Sequence, residues 1–173
     1  MEVVMTSAET GALLQRWFDE VWNQGKESTI HELFDKNGKA HGWPEPTSVL
    51  RGPKEFAKVF HQFRSAFSEI KITIHEIIAE GGHGAVRWTC TSKHTGDGLG
   101  FAGTNKPVTL PGSSFILCKN GKLLEGWNFL DQTSVIHQLR IAADKNAAAG
   151  KQRSAGISKP VAPIRKKSGR SLK

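Results

Sequence analysis

The chain has 173 residues, enough for one domain of ordinary size with its own core and too few for two comfortable ones. Its formal net charge of +8 would suit a nucleic-acid-binding protein, but nine of the 24 basic residues and none of the 16 acidic ones follow Asp144. Residues 1–144 are therefore close to neutral, which argues against specific nucleic-acid binding by the folded part.

Helices are predicted in the first part of the chain. The sequence TSAE at residues 6–9 is a Ser/Thr-x-x-Glu capping box, and the apolar residues behind it recur at helical spacing, which predicts a helix ending near Gly25. A shorter helix is expected over residues 27–34, before a brief strand at 39–43. Gly52-Pro53 then begins a third helix with a phenylalanine-rich inner face.

Beyond the third helix the apolar period changes from 3.6 to 2 residues. This alternation predicts strands over residues 70–74, 85–95, 107–119 and 122–131. Asn120-Gly121 is a strong hairpin signal, and Asn37-Gly38 is interpreted as a turn as well. A last short helix is expected over residues 134–142.

Helices followed by hairpin-linked strands predict an α+β domain, in which a curved antiparallel sheet wraps against the N-terminal helices. The strand predicted over 122–131 carries apolar residues on both faces. We therefore expect its second face to be buried as well, by a second subunit in a homodimer.

Residues 145–173 are predicted to form a basic, disordered tail outside the 1–144 domain. This segment has no aromatic residue and is rich in Ala, Gly, Ser and Pro, so it has little surface to bury. Binding of a membrane or polyanion through it is the least favoured function. No apolar run reaches the roughly 18 residues of a membrane span and no secretory signal is present, which predicts a soluble, cytoplasmic protein.

Asp131 is the main candidate for chemistry. Strand parity places it on one face with Glu125, Trp127 and Phe129. If that face lines an enclosed pocket, burial would raise the pKa of the acid and make it a better general base. The alternative is that Asp131 caps the following helix by accepting an amide hydrogen, and spacing alone favours the cap.

Other kinds of site find little support in the sequence. None of the seven histidines has metal-motif spacing, although His41 and His94 are placed where they could face a pocket mouth. The glycines of residues 95–105 match no nucleotide-binding pattern. Cys90 and Cys118 lie in alternating apolar segments without CxxC spacing, which predicts buried free thiols.

The later strands carry an ordered set of short motifs. They are Arg87-Trp88, Lys93-His94-Thr95-Gly96, Thr104-Asn105-Lys106, Asn120-Gly121-Lys122, Glu125-Gly126-Trp127 with Asp131, and Gln138-Leu139. In this order, roughly from Leu13 to Leu139, the chain resembles the SnoaL-like polyketide cyclases (ester cyclases) of the nuclear-transport-factor-2-like superfamily. Ser92-Lys93 departs from the Gly-Thr usual before the family's histidine, and Asn105 replaces a glycine, which leaves the substrate open.

The resemblance implies a cone-shaped α+β fold, commonly dimeric through the outer face of its sheet, that binds a hydrophobic ligand. It further implies an aldol-type cyclisation of a polyketide-like carbonyl compound by general acid and base catalysis, without metal or organic cofactor. The aspartate that acts in the family corresponds to Asp131. We then expect His94 and His41 to hydrogen-bond an enolate, and Trp43, Trp127 and Phe129 to shape the pocket.

Two alternatives use the same cone. One is an isomerase, dehydratase or epoxide hydrolase, which would also need a carboxylate or histidine in the pocket. The other is a non-catalytic small-molecule-binding or dimerisation module, in which Asp131 is only a helix cap. A pocket with Asp131 at its floor would favour an enzyme, and a filled interior would favour the module.

Overall fold

The computed structural model describes residues 5–156, with side chains up to residue 149. The fold is the predicted α+β class, with a curved, unclosed six-stranded sheet packed against helices. In chain order its elements are α1 (Ser7–Arg16), α2 (Glu27–Leu33), β1 (Phe34–His41), β2 (Val49–Arg51), α3 (Gly52–Ala66), β3 (Phe67–Glu80), β4 (His83–His94), β5 (Pro107–Lys119), β6 (Lys122–Leu130) and α4 (Gln132–Gly156).

The first helix begins at the predicted capping box. Thr6 Oγ1 accepts a hydrogen bond from the Glu9 amide at 3.2 Å, and the Glu9 carboxylate accepts one from the Thr6 amide at 2.8 Å. The α-helical winding changes to π-helical winding over Trp17–Asn23, and the segment ends before Gly25, whose φ is +69°. The predicted helix is thus confirmed, but its last part, Trp17–Asn23, is a π-helix rather than an α-helix.

The sheet has the strand order β2-β1-β6-β5-β4-β3. Neighbouring strands are antiparallel except β1 and β6, whose parallel pairing joins the two ends of the domain and was not predicted. The β5–β6 hairpin turns at Asn120 and Gly121, both with positive φ, as the Asn-Gly signal predicts. The turn expected at Asn37-Gly38 is wrong, because both residues lie within β1.

At Ile72, one residue of the edge strand β3, the backbone is paired by a side chain from the π-helical segment. The Asn23 side-chain amide donates to the carbonyl oxygen of Ile72 at 3.0 Å, and its Oδ1 accepts from the Ile72 amide at 2.6 Å. Asn23 therefore satisfies the backbone groups that a further strand would otherwise use.

The core lies between α1–α3 and the inner face of the sheet, and it is rich in aromatic rings. Phe60 on α3 is 1% exposed, and Trp22 packs edge-on against Trp43 at 5.3 Å. Cys90 and Cys118 are buried free thiols, as predicted. Burial raises their pKa values to about 11 and about 12, so both stay protonated near neutral pH.

Helix α4 is much longer than predicted. It was expected to end near Ala142, but it continues to Gly156, so residues 145–156 are helical rather than part of a disordered tail. The run AAAG at 147–150 belongs to this extension, and alanine has the highest helix propensity of all residues. The rest of the predicted tail, residues 157–173, lies outside the described residues. No helix within residues 5–156 is long and apolar enough to cross a membrane.

Candidate functional site

Two adjacent cavities lie between the helices and the inner face of the sheet. The first, of about 90 Å³, is walled mainly by aromatic side chains, among them Trp17, Trp22 and Trp88, and is here called the aromatic cavity. The second, of about 220 Å³, is closed on one side by Gln132, Val135 and Ile136 and is called the α4 cavity. Both are lined by Trp43, Phe63, Cys90 and Leu110.

Three polar side chains of the aromatic cavity, those of Trp88, Ser114 and Asn128, form a chain of hydrogen bonds. Trp88 donates its indole hydrogen to Ser114 Oγ at 3.1 Å, and the Ser114 hydroxyl donates to Asn128 Oδ1 at 2.8 Å. The Asn128 amide in turn donates to the carbonyl oxygen of His41 at 3.1 Å. A fully bonded chain of this kind fixes side chains and leaves little hydrogen-bonding capacity for a ligand.

The α4 cavity is different, because some of its polar groups have no protein partner. Ser92 and Gln132 are 8% and 9% exposed and line this cavity. Within residues 5–149 neither side chain has a hydrogen bond. Gln62, a third polar lining residue, already donates to the carbonyl oxygen of Gly98 at 3.1 Å. Their polar atoms are unpaired but not fully enclosed by protein, so Ser92 and Gln132 are the lining groups best placed to meet a bound molecule.

Ser92 and Gln132 were not predicted as site residues. A serine and a glutamine carry no distinctive motif. One feature of the sequence did indicate that Ser92 faces inward: on β4 it lies on the same face as the buried residues Trp88 and Cys90. For Gln132, position alone beside Asp131 gave no indication that it would turn inward.

His94, a predicted catalytic residue, is fully buried at the end of β4. Its Nδ1 accepts the Thr104 amide hydrogen at 3.3 Å, so the ring proton of the neutral form belongs on Nε2. Burial lowers the pKa of His94, which favours that neutral form. Nε2 has no hydrogen-bond partner among the described residues.

His94 lies beside the α4 cavity without lining it. Its ring packs against Phe67, with the ring centroids 5.5 Å apart, and Phe67 is itself a lining residue. On the other side Phe101 packs at 5.2 Å. The Nε2 hydrogen of His94 is thus an unused donor in an apolar setting, one ring away from the cavity.

Asp131, the predicted general base, lies at the end of β6 as a cap of α4. It is exposed, and its Oδ1 accepts a hydrogen bond from the Ser134 amide at 3.2 Å. The carboxylate lines neither cavity. This is the capping geometry that the spacing favoured.

The face that Asp131 shares with Trp127 and Phe129 was expected to line the pocket, and that expectation is wrong. These rings are 37% and 57% exposed and lie on the outer face of the sheet. The helices cover the opposite face of β6, where Gly126 and Asn128 line the aromatic cavity. Trp127 and Phe129 therefore do not shape either cavity, whereas Trp43 lines both.

His41 is also placed on the outer face rather than at a pocket mouth. Its Nε2 lies 2.7 Å from Glu125 Oε1, and its ring stacks on Trp127 with the two planes 4° from parallel. The pairing of β1 with β6 sets His41 directly opposite Trp127, which explains this arrangement. His41 is thus separated from the cavities by the sheet itself.

The described residues contain no group of three or more His, Cys, Asp and Glu side chains arranged to hold a metal ion.

Comparisons with known proteins identify the fold and the family. The profile of the SnoaL-like polyketide cyclase family matches residues 12–139. No curated protein matches the chain significantly in sequence.

Similar solved structures include a candidate SnoaL-like polyketide cyclase from Jannaschia sp. CCS1, with a TM-score of 0.70 and 16% identity over 80% of this chain and 96% of that one. A candidate polyketide cyclase from Acidithiobacillus ferrooxidans has a TM-score of 0.65 and 24% identity over 79% and 98%. TsrD from Streptomyces laurentii has a TM-score of 0.66 and 18% identity over 78% and 97%. At these identities the likeness concerns the fold.

Proposed function

Because the chain belongs to the SnoaL-like polyketide cyclase family, we propose that it is a cofactor-independent enzyme that catalyses proton transfer on a compact hydrophobic carbonyl compound. The reaction would be an aldol-type cyclisation or a related enolisation. The observation that carries this proposal is the α4 cavity, in which the buried side chains of Ser92 and Gln132 have no protein partner. Such groups can orient a carbonyl in a largely apolar space.

The chemistry needs a base for the carbon-bound proton and a donor for the enolate oxygen. His94 is the proposed donor, because its neutral ring carries an unpaired Nε2 hydrogen. Since Phe67 lies between that ring and the cavity lining, the Phe67 side chain would have to turn for His94 to touch the substrate. Asp131 is the proposed base by its position in the family motif, and it would have to leave its capping bond with Ser134.

The substitution Asp131→Asn tests this assignment cleanly. Asparagine caps helices about as well as aspartate, so the fold should be kept while the base is removed. The probe is 2-tetralone in D₂O, and ¹H NMR measures the loss of its α-proton signals. We expect the protein to accelerate exchange and D131N to reduce that acceleration by about a hundredfold or more.

Asp144→Asn, an exposed change within the helix that Asp131 caps, is the matched control and should leave the rate unchanged. Exchange by D131N that stays within about tenfold of the unchanged protein would remove Asp131 as the base. No acceleration by the unchanged protein would contradict proton transfer on this kind of substrate.

One observation favours a second candidate, a binding module without catalysis. Asp131 is exposed and already bonded to a main-chain amide, as a purely structural cap would be. In such a module the α4 cavity would bind a small molecule with no bond made or broken.

We also propose that the outer face of the sheet is covered by a second copy of the chain. Phe115, Trp127 and Phe129 form an exposed aromatic patch there, with the rings of Phe115 and Phe129 6.0 Å apart. Aromatic residues are enriched in protein interfaces, and a sheet face can pack on its own symmetric copy.

A further inference from the structure

Glu45 lies on the loop of residues 42–48, which joins β1 to β2 and forms part of the rim of the α4 cavity. The loop is closed by hydrogen bonds from the Gly42 amide to the Ser48 carbonyl at 3.1 Å and from the Ser48 amide to the Glu45 carbonyl at 3.0 Å. Prolines precede and follow Glu45, and a proline ring fixes its own φ. The position of Glu45 is therefore held by the backbone.

The start of the same loop packs closely against β6. Gly42 has a φ of +78°, and a Cβ atom there would collide with the carbonyl oxygen of Asn128. Only glycine fits both the backbone angle and the close approach. The start of the loop is therefore held against β6, beside the α4 cavity.

Among the residues that the structure describes, Glu45 is the one formally charged residue that lines the α4 cavity. Its carboxylate is exposed and has no hydrogen bond or ion pair with any side chain in residues 5–149. Lys39, by contrast, lines the aromatic cavity and lies 3.9 Å from Glu125. The α4 cavity accordingly has a negative rim that no lining cation compensates.

Aromatic side chains line the same cavity as Glu45. Trp43, Phe63 and Phe67 all line the α4 cavity, and the rings of Phe63 and Phe67 are 4.8 Å apart. The faces of aromatic rings attract organic cations, and a nearby carboxylate adds to that attraction. The same carboxylate repels an anionic ligand.

From this geometry we propose that the α4 cavity selects a compact apolar ligand that carries a protonated amine. The ammonium group pairs with Glu45 at the rim, and the apolar body packs on Trp43 and Phe63. The cavity of about 220 Å³ is smaller than the roughly 300 to 1,000 Å³ of sites for drug-sized molecules, which favours a ligand with one ring. The inference rests on the proposed function only in requiring that a small molecule enters the cone.

The test uses three probes of matched shape and different charge: 2-phenylethylammonium, 2-phenylethanol and 3-phenylpropanoate. Each is titrated into the full 173-residue chain at neutral pH and low salt, and the tryptophan indole N–H signals are followed by NMR. The Trp43 signal is assigned by its loss in W43F. We expect the ammonium probe to bind most tightly, the alcohol next and the carboxylate least, with the Trp43 signal shifting in each case.

Glu45→Gln should reduce the preference for the ammonium probe over the alcohol by about threefold to tenfold, and added salt should reduce it in the unchanged protein. Glu80→Gln is the matched control, because Glu80 lies at the other end of β3 from Phe67, roughly 40 Å along the strand. It should leave the preference unchanged.

Two outcomes overturn the inference, and they differ in what else they affect. If the alcohol binds but the ammonium probe has no advantage, or if E45Q keeps that advantage, Glu45 does not select the ligand and the proposed function stands. If none of the three probes binds at concentrations up to about 10 mM, the cavity is not a site for ligands of this size, and the proposed function loses its support as well.

Discussion

The two faces of the sheet differ in what covers them, although both carry large apolar side chains. On the inner face Phe60 and Trp88 pack between helices and strands and are almost fully buried. On the outer face Phe115 and Phe129 are more than half exposed within the single chain. The same residue type therefore contributes to folding on one face and is available for association on the other.

The polar groups of the two faces differ in a similar way. Ser92, Gln132 and His94 lie on the inner side, and each has unused hydrogen-bonding capacity, which in His94 is an Nε2 atom fully enclosed by protein. His41 and Glu125 on the outer face bond each other at 2.7 Å. Contacts with a ligand are thus expected on the inner side, while the outer pair orients side chains around Trp127.

The largest effect is expected from removing an inner aromatic ring. Phe60→Ala leaves a hole in the core beside Trp22, and substitutions of this kind cost about 3 to 5 kcal/mol. Urea unfolding followed by tryptophan fluorescence measures the free energy of unfolding. A loss below about 1 kcal/mol would mean that the core around Phe60 is not packed as described.

An intermediate effect is expected from pH through His94. Burial lowers its pKa in the folded state, so the unfolded chain binds a proton more readily as the pH falls below about 6.5. The stability that neutral His94 contributes to folding is fully present above that pH. It is progressively lost as the pH falls from there to the pKa of His94 in the folded state. Unfolding free energies measured between pH 7.5 and 5 should therefore fall as the solution becomes more acidic.

His94→Asn is the matched variant for this measurement. Its side-chain oxygen can accept the Thr104 amide hydrogen as Nδ1 does, but it does not titrate. Between pH 7.5 and 5 the unfolding free energy of the variant should fall less than that of the unchanged protein. The difference should be about 1.4 kcal/mol for each unit by which burial lowers the pKa of His94. Parallel curves for the two proteins would contradict the role given to the buried ring. Glu20, whose pKa is lowered to about 2 chiefly by its hydrogen bond with Arg16, acts only at lower pH.

The smallest effect on folding is expected from the outer face. Phe129→Ala, the same change as at Phe60, should alter the unfolding free energy of the monomer by about 0.5 kcal/mol or less, since surface substitutions rarely do more. Sedimentation velocity should instead show weaker self-association. If the chain sediments as a monomer with and without Phe129, the proposed covering of this face by a second copy is wrong.

Several elements followed from local sequence alone. The capping box at Thr6, the helix starting at Gly52-Pro53 and the hairpin at Asn120-Gly121 all have causes that act within a few residues. The buried thiols followed from strand alternation. In each case the physical preference is local, and no distant contact opposes it.

The face of β6 that turns inward was beyond such reasoning. The alternation of Gly126 and Asn128 with Trp127 and Phe129 was correct, but the aromatic residues are the outer ones. A polar residue can face inward here because Asn128 bonds Ser114 and the His41 carbonyl, and both partners come from other strands. The hydrophobic pattern of one strand could not reveal these bonds.

The sequence by itself determined the order and kind of most elements and the family motifs, and it offered the cap that Asp131 forms as one of two alternatives, because each depends on neighbours in the chain. Only the tertiary structure decided which groups meet in the cavities. Ser92, Gln132 and Glu45 come from three separate segments, and they line one space because β1 pairs with β6 and α4 folds back over the sheet. That arrangement is set by the packing of distant segments around a shared core, which no local pattern encodes.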